Sequence, residues 1–375
     1  MSTLDSSATA SGLSSISDSP SLRPSSDADA LALIEDHILP KLDPVFLQYF
    51  VNVLSKQPPN HLIPIEDTRA HPERYRSPIA QALATTTLER VSDHVVSSQD
   101  GASINVRVYH PDPVRFGPGP YPVHMNHHGG GFVMGDLFTE AQLCLKMREA
   151  GVVVVDVNYR HCPETIWGKG IQDAWAALNW ARDSSSTLNI NPTLVSIGGV
   201  SAGAHISLVL QHMARDAGIP LKLCLASVPP STDSLAYRYY TESPYPSFHE
   251  FNRAPILPWK RIQYFGSFAM PQDKLPELRK LWPDWWFAPI RATNWTGLCD
   301  TFIRTAEVDP LRDEGEAYGM KLVAGGSTVM FKRYVGCPHT FMYMPFMKQK
   351  DDYDQDAIDA LRVAHGTREI PSVGQ

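Results

Sequence analysis

Two of the chain's residues capable of acid–base chemistry, and one potential nucleophile, fall in settings that suit acyl transfer. Gly199-Val200-Ser201-Ala202-Gly203 brackets a serine with glycines. It follows the apolar run LVSIGGV and precedes the amphipathic pattern AHISLVLQHMARDAG, so the serine sits in a strand-to-helix turn. Such a turn crowds its flanking positions against neighbouring backbone, which glycine tolerates. It lifts the Ser201 hydroxyl onto the rim of a sheet and aims the unpaired N–H groups of a helix start at the reacting atoms. A serine hydroxyl needs a base to become a nucleophile. His339, in Gly336-Cys337-Pro338-His339-Thr340, is the candidate base, and Asp309, in Glu307-Val308-Asp309-Pro310-Leu311, is the candidate acid that orients it. Taken singly, Asp309 reads as a helix cap and His339 as a surface residue, but those readings leave unexplained why both follow successive strands. Asp300 and Asp313 compete as acids. The first precedes its strand, at the wrong end, and the second falls inside the following helix.

The fourth segment is His128-Gly129-Gly130-Gly131, at the end of an earlier strand. Consecutive glycines let backbone approach a ligand closely and turn successive N–H groups inward. With the amide of Ala202, those of Gly130 and of Gly129 or Gly131 would form an oxyanion hole. His128, Gly199 and Gly203 support the two motifs. His124, His127 and His128 invite a zinc reading, but zinc would need further ligands at suitable spacing. The chemistry calls for no metal and no cofactor.

The elements that must position these groups follow from periodicity. Residues 1–28, rich in Ser and Asp, read as a disordered tail. Residues 30–50 show apolar residues at helical spacing, interrupted by Pro40 and Pro44, and a second helical piece is expected at 79–88. Strands are expected at 103–111 and in PYPVHMN, then a helix at 139–150. The run VVVVDVNYR at 152–160 suits a strand buried on both faces. The helix QDAWAALNWARD, the strand and helix around Ser201, and the strand LKLCLASVPP continue the alternation, which argues for a doubly wound, mostly parallel sheet. Residues 231–290 break the rhythm with many aromatics and prolines, as either an irregular surface insertion or a lid over an apolar pocket. Strand, helix, strand and a closing helix after Gln355 complete the chain.

Of the 375 residues 43% are hydrophobic and 19% charged, enough for a large core, and the formal net charge of -7 argues against a nucleic-acid or anionic-membrane binder. Five separated cysteines suit buried thiols in a reducing compartment. The serine-rich start lacks the features of a signal peptide, and no stretch is long and apolar enough for a span, so a cytoplasmic location is expected.

HHGGGFVMGD, VNYRHCPE, GGVSAGAH, EVDPLRDEGEAYGMKL and GCPHTFMY together resemble the hormone-sensitive-lipase-like family of α/β-hydrolase carboxylesterases, in its fungal and bacterial form. The resemblance implies an α/β-hydrolase fold over residues 96–375 and a helical cap. The cap would be built from residues 29–95 and an insertion after the sixth strand, about 231–290. It places the nucleophile on Ser201, the acid on Asp309, the base on His339 and the oxyanion donors on Gly130, Gly131 and Ala202. Val200 stands where the family usually has Asp, HC replaces LA in the YRLAPE motif, and Ala204 replaces a common glycine. The implied activity is cleavage of a short acyl ester or lactone of a small apolar molecule, with secondary metabolism as a setting and a homodimer compatible with it. Two alternatives keep the fold: a non-hydrolytic biosynthetic enzyme using the same site, and a ligand-binding receptor. The receptor branch lacks the catalytic histidine, whereas His339 is present.

Overall fold

The computed structural model describes residue 24 and residues 26–370. Eight strands form one sheet: β1 (Val91–Ser97), β2 (Ser103–Tyr109), β3 (Tyr121–His127), β4 (Val153–Asn158), β5 (Ile190–Val200), β6 (Leu221–Ser227), β7 (Thr301–Val308) and β8 (Val329–Pro338). Their order is β1-β2-β4-β3-β5-β6-β7-β8. β1 and β2 pair antiparallel, as do β2 and β4, and every later pairing is parallel. This is the α/β-hydrolase fold.

The valine run shows why the sheet is two-sided. Val153, Val155 and Val157 enter one apolar cluster, with Ile171 and Leu178 of the helix Lys169–Asp183 and Ile206 and Leu210 of the helix Ala202–Asp216. Val152 and Val154 enter the other, with Leu143 and Met147 of the helix Ala141–Met147 and Tyr353 and Leu361 of the helix Lys348–His365. Period-two alternation thus sends successive side chains to opposite cores. Each buried valine contributes on the order of 1.5–3 kcal/mol. Among the described residues, no helix is long and apolar enough to cross a membrane.

Parallel pairing brings the C-terminal ends of β3, β5, β7 and β8 to one rim, with His127 opposite Gly199 in the register. The turns that leave those ends carry His128, Ser201, Asp309 and His339. The rim is where open α/β sheets hold their ligands.

Several expectations need correction. The tail lies outside the described residues except for its last part, and Asp27 already opens a helix, capped by Ser26 accepting from the Asp29 amide. β1 went unanticipated and straddles the expected boundary at 95. It is an edge strand on which Val96 alone is buried, so its sequence shows little alternation. The expected 139–150 helix is an α-helix at Ala141–Met147 finished by a 3-10 turn, and the closing helix starts at Lys348 rather than after Gln355. Residues 231–290, expected as either an irregular insertion or a lid, are partly helical. They include the helices Pro246–Glu250, Trp259–Ala269, Leu275–Leu281 and Asp284–Phe287.

The altered YRHCPE motif is tied down by a buried acid. Asp173, fully buried, accepts from Arg160 Nε at 2.8 Å, Arg160 Nη2 at 2.7 Å and the Ser98 hydroxyl at 2.7 Å. The motif, the turn after β1 and the helix Lys169–Asp183 meet there. Asp173→Ala leaves the Arg160 guanidinium with the carboxylate of Asp100 alone, at 3.0 Å, and takes the acceptor from the buried Ser98 hydroxyl and the Arg160 amide. The expected loss is about 3 kcal/mol, at the low end for a buried pair because Arg160 stays partly exposed. Urea unfolding measures it, and a loss below about 1 kcal/mol would show the pair to be unimportant.

Candidate active site

Ser201 adopts φ 55° and ψ -117°, a region a side chain seldom enters. Such a conformation costs on the order of 1–3 kcal/mol and persists only where its surroundings enforce it. Here the Ser201 amide donates to the Ser227 carbonyl at 2.9 Å, and the Ser201 carbonyl accepts from the His205 amide at 3.0 Å. The flanking glycines are sterically required. A Cβ on Gly199 would lie 2.3 Å from the His127 carbonyl oxygen, and one on Gly203 only 1.8 Å from it.

The three candidate groups converge. His339 Nε2 lies 3.0 Å from Ser201 Oγ, and His339 Nδ1 lies 2.8 Å from Asp309 Oδ2. The other Asp309 oxygen accepts from the Leu311 amide at 2.9 Å. An ionised Asp309 requires the proton on Nδ1, which leaves the Nε2 lone pair facing the serine hydroxyl. All three side chains are buried, so bulk water does not compete for these bonds. The arrangement can take a proton from the hydroxyl and return it to a departing group. Asp300 immediately precedes β7, and Asp313 in the next helix accepts from the Ser247 amide at 2.8 Å, so neither reaches the histidine.

The glycine loop divides its amides. Among the described residues no protein acceptor takes the Gly130 or Gly131 amide, and Ala202 is the first residue of its helix, where N–H groups lack intrahelical partners. The Gly129 amide, expected among the oxyanion donors, donates instead to Glu140 Oε1 at 2.8 Å and is unavailable. His128 stacks on Tyr159 with ring centroids 4.4 Å apart, and the Tyr159 hydroxyl donates to the His128 carbonyl at 2.7 Å. The three histidines of this strand end hold structure by hydrogen bonds. His124 Nδ1 lies 2.9 Å from Ser196 Oγ, and His127 Nδ1 lies 3.0 Å from both the Gly198 carbonyl and Ser207 Oγ. Burial pushes the His127 pKa down to about 3, so the ring is neutral at physiological pH.

Glu140 was missed. An acid near the start of a helix reads as a dipole or capping residue, but its side chain turns inward and is buried. It accepts from the Gly129 amide, from the Tyr343 hydroxyl at 2.6 Å and from Asn126 Nδ2 at 3.0 Å, while Asn126 also donates to Asp156 at 2.9 Å. Burial raises its pKa to about 7 against those bonds. Glu140 and Val200 line the same small cavity beneath the serine turn, of about 10 Å³. A carboxylate from another element thus stands near the position where the family's usual aspartate is replaced by valine.

Two cavities meet at Ser201. The smaller, about 40 Å³, is walled by Phe132, Leu235, Leu257, Ile262, Met270 and Phe287. The larger, about 200 Å³, reaches His339 and is bordered by Thr68, Arg76 and Ala80 on one side and Ile256 and Arg261 on the other. Gly131, Leu257 and Phe265 border both.

The comparisons with known proteins agree with this geometry. A family model described as alpha/beta hydrolase fold matches residues 124–343. The carboxylesterase NlhH of Mycobacterium tuberculosis is 36% identical over 242 residues, 64% of this chain and 72% of that one. The esterase LipI of the same organism is 33% identical over 280 residues, 74% of this chain and 83% of that one. The hyperthermophilic esterase of the archaeon Pyrobaculum calidifontis superposes with a TM-score of 0.74 at 28% identity, covering 86% of this chain and 98% of that one. The chain belongs to the hormone-sensitive-lipase-like family of α/β-hydrolases.

Glu140 generates a pH prediction. Its pKa stands near 7 in the folded protein against 4.5 for an ordinary glutamate, so the stability tied to its protonated form is complete below pH 4.5 and is lost as pH rises through about 7. Glu140→Gln removes that loss. The buried histidines act in the opposite sense, since His127 at about 3 and His205 at about 4 cost stability as pH falls below 6.5. The comparison with the variant cancels them. Melting temperatures measured from pH 4.5 to 8 should show the variant gaining on the wild type as pH rises. Parallel curves would assign the burial cost elsewhere.

Proposed function

We propose that the protein hydrolyses carboxylic esters through an acyl-enzyme, with Ser201 as nucleophile, His339 as general base then acid, and Asp309 orienting the imidazole. The observation that carries this reading is the 3.0 Å approach of His339 Nε2 to a serine hydroxyl placed where two cavities meet. The names of the relatives, carboxylesterase and esterase, support it. In the first step His339 takes the hydroxyl proton as Ser201 Oγ attacks the ester carbonyl. The amides of Gly130, Gly131 and Ala202 stabilise the oxyanion, since fixed donors lose no reorganisation energy when charge develops. His339 then protonates the leaving alcohol, and water repeats the sequence to free the acid.

The leaving alcohol must lie on the side of His339, and of the two cavities only the larger is lined by His339. The alcohol therefore occupies the larger cavity and the acyl chain the smaller. The smaller cavity's apolar walls and volume of about 40 Å³ suit a short acyl chain. The helices of 231–290 border both cavities and the N-terminal helices the larger one, and the two meet where the Tyr264 hydroxyl donates to the Ile63 carbonyl at 3.0 Å. A bulkier alcohol, such as that of a secondary metabolite, fits this division.

Ser201→Ala should lower ester turnover by roughly 10⁴–10⁶-fold, as for groups acting as a unit, and His339→Ala by about as much. Retention of a tenth of the activity would remove Ser201 from its role. Acetyl to butyryl p-nitrophenyl esters should exceed the octanoyl ester in kcat/KM by at least about tenfold. A profile rising with chain length would reverse the assignment of the cavities.

A further inference from the structure

The larger cavity carries a charge that the hydrolytic chemistry leaves unused. Arg261, on the helix Trp259–Ala269, borders the cavity that also contains Ser201 and His339. Its guanidinium donates to the Ile256 carbonyl at 2.8 Å through Nη1, and its carbon stands 5.5 Å from the Phe265 ring centroid. Among the described residues no carboxylate pairs with it. Arg304 and Arg148 likewise lean on backbone carbonyls, those of Tyr353 and Glu89, but neither lines this cavity, and several other arginines are paired with acids. Arg76 of the same cavity donates to Asp136 at 2.9 Å, Arg107 meets Asp93 at 2.7 Å, and Arg291 meets Asp233 at 2.9 Å.

The other charges of the cavity cancel. Arg76 is matched by Asp136, and an imidazolium at His339 would be matched by Asp309. Arg261 is the surplus. Burial pushes its pKa down to about 10, so it keeps its proton at neutral pH while its hydration is already reduced. Its field also reaches His61, whose pKa is lowered first by burial and then by Lys260 and Arg261. A neutral substrate filling the cavity would expel the remaining water and leave a cation without a partner, which is costly. A carboxylate would replace that water with charge-assisted hydrogen bonds that match the planar fork of the guanidinium.

We propose that Arg261 forms an anion-binding subsite in the larger cavity, so that the alcohol part of the substrate carries a carboxylate. The inference deepens the ester-hydrolase reading and rests on it for the placement of the alcohol.

Three acetate esters that each carry a meta substituent separate the possibilities: 3-acetoxybenzamide, 3-acetoxybenzoate and the acetate ester of 3-hydroxyphenyltrimethylammonium. At pH 7 and low salt the wild type should favour the anionic ester over the neutral one, and the neutral over the cationic. The anionic preference should be roughly ten- to a hundredfold, expressed in KM. Arg261→Met should shrink the ratio of anionic to neutral kcat/KM by about tenfold or more, and Arg261→Lys should retain part of it. A wild-type ratio within twofold of unity, or one unaltered in a folded Arg261→Met, overturns the subsite. If the wild type cleaves none of the three, the ester-hydrolase reading fails, and calorimetry decides the subsite separately. In that titration 3-hydroxybenzoate should bind at least tenfold tighter than phenol and lose the advantage in Arg261→Met. Equal binding of the two overturns the proposal.

Discussion

The His127 carbonyl oxygen occupies the space that a side chain at Gly199 or Gly203 would need, and much of the site follows from that crowding. β3 and β5 run parallel with His127 opposite Gly199, so the strand that ends in the glycine loop is pressed directly against the serine turn. The contact forces glycine on both sides of Ser201 and holds the turn that gives Ser201 its positive φ. It also ties the loop bearing Gly130 and Gly131 to the turn that carries Ser201. Loop and turn are held to each other by close backbone packing.

Beneath that contact the connections are polar and buried. Glu140 holds the Gly129 amide with one oxygen, and the same oxygen accepts from Tyr343, which follows His339 by a short stretch of chain. A single carboxylate therefore ties the glycine loop to the histidine loop, and Asn126 extends the tie to Asp156 on β4. Such a network strengthens when every member is satisfied and penalises any member that is not. Tyr159 adds a separate strut by donating to the His128 carbonyl. The strands set where the loops begin, and these side chains set how far the loops can move.

The alternation of strands and helices, the buried valine strand and the Ser-Asp-His order were legible because each depends on neighbours in sequence. A strand followed by a turn places its next residue on the rim, whatever the rest of the chain does. Glu140 and Arg261 were illegible for the opposite reason. An acid at a helix start and an arginine in an amphipathic helix look like solvent-facing residues, and only tertiary packing turns them inward. β1 escaped notice because an edge strand buries one side chain and leaves little periodicity. The Gly129 amide was assigned wrongly from sequence because three consecutive glycines look equivalent until a distant carboxylate claims one of them.

The aromatic residues of 231–290 suggested a greasy lid, but most of them pack on neighbouring aromatic rings rather than face the cavities. Trp282 stacks on Trp286 at 5.1 Å and Phe248 meets Trp259 edge-on at 5.8 Å, while Phe287, which walls the smaller cavity, also stacks on Trp167 at 4.3 Å. Their abundance makes a stiff roof, and Phe265 does the dividing. It borders both cavities, and a Cβ on Gly131 would stand 2.4 Å from its ring. The roof is thus seated on the glycine loop at a position where only glycine fits. The partition between the two cavities therefore rests on the contact between Phe265 and Gly131. Arg261, one helical turn before Phe265 on the same helix, is carried by that seating toward the cavity that Ser201 and His339 line.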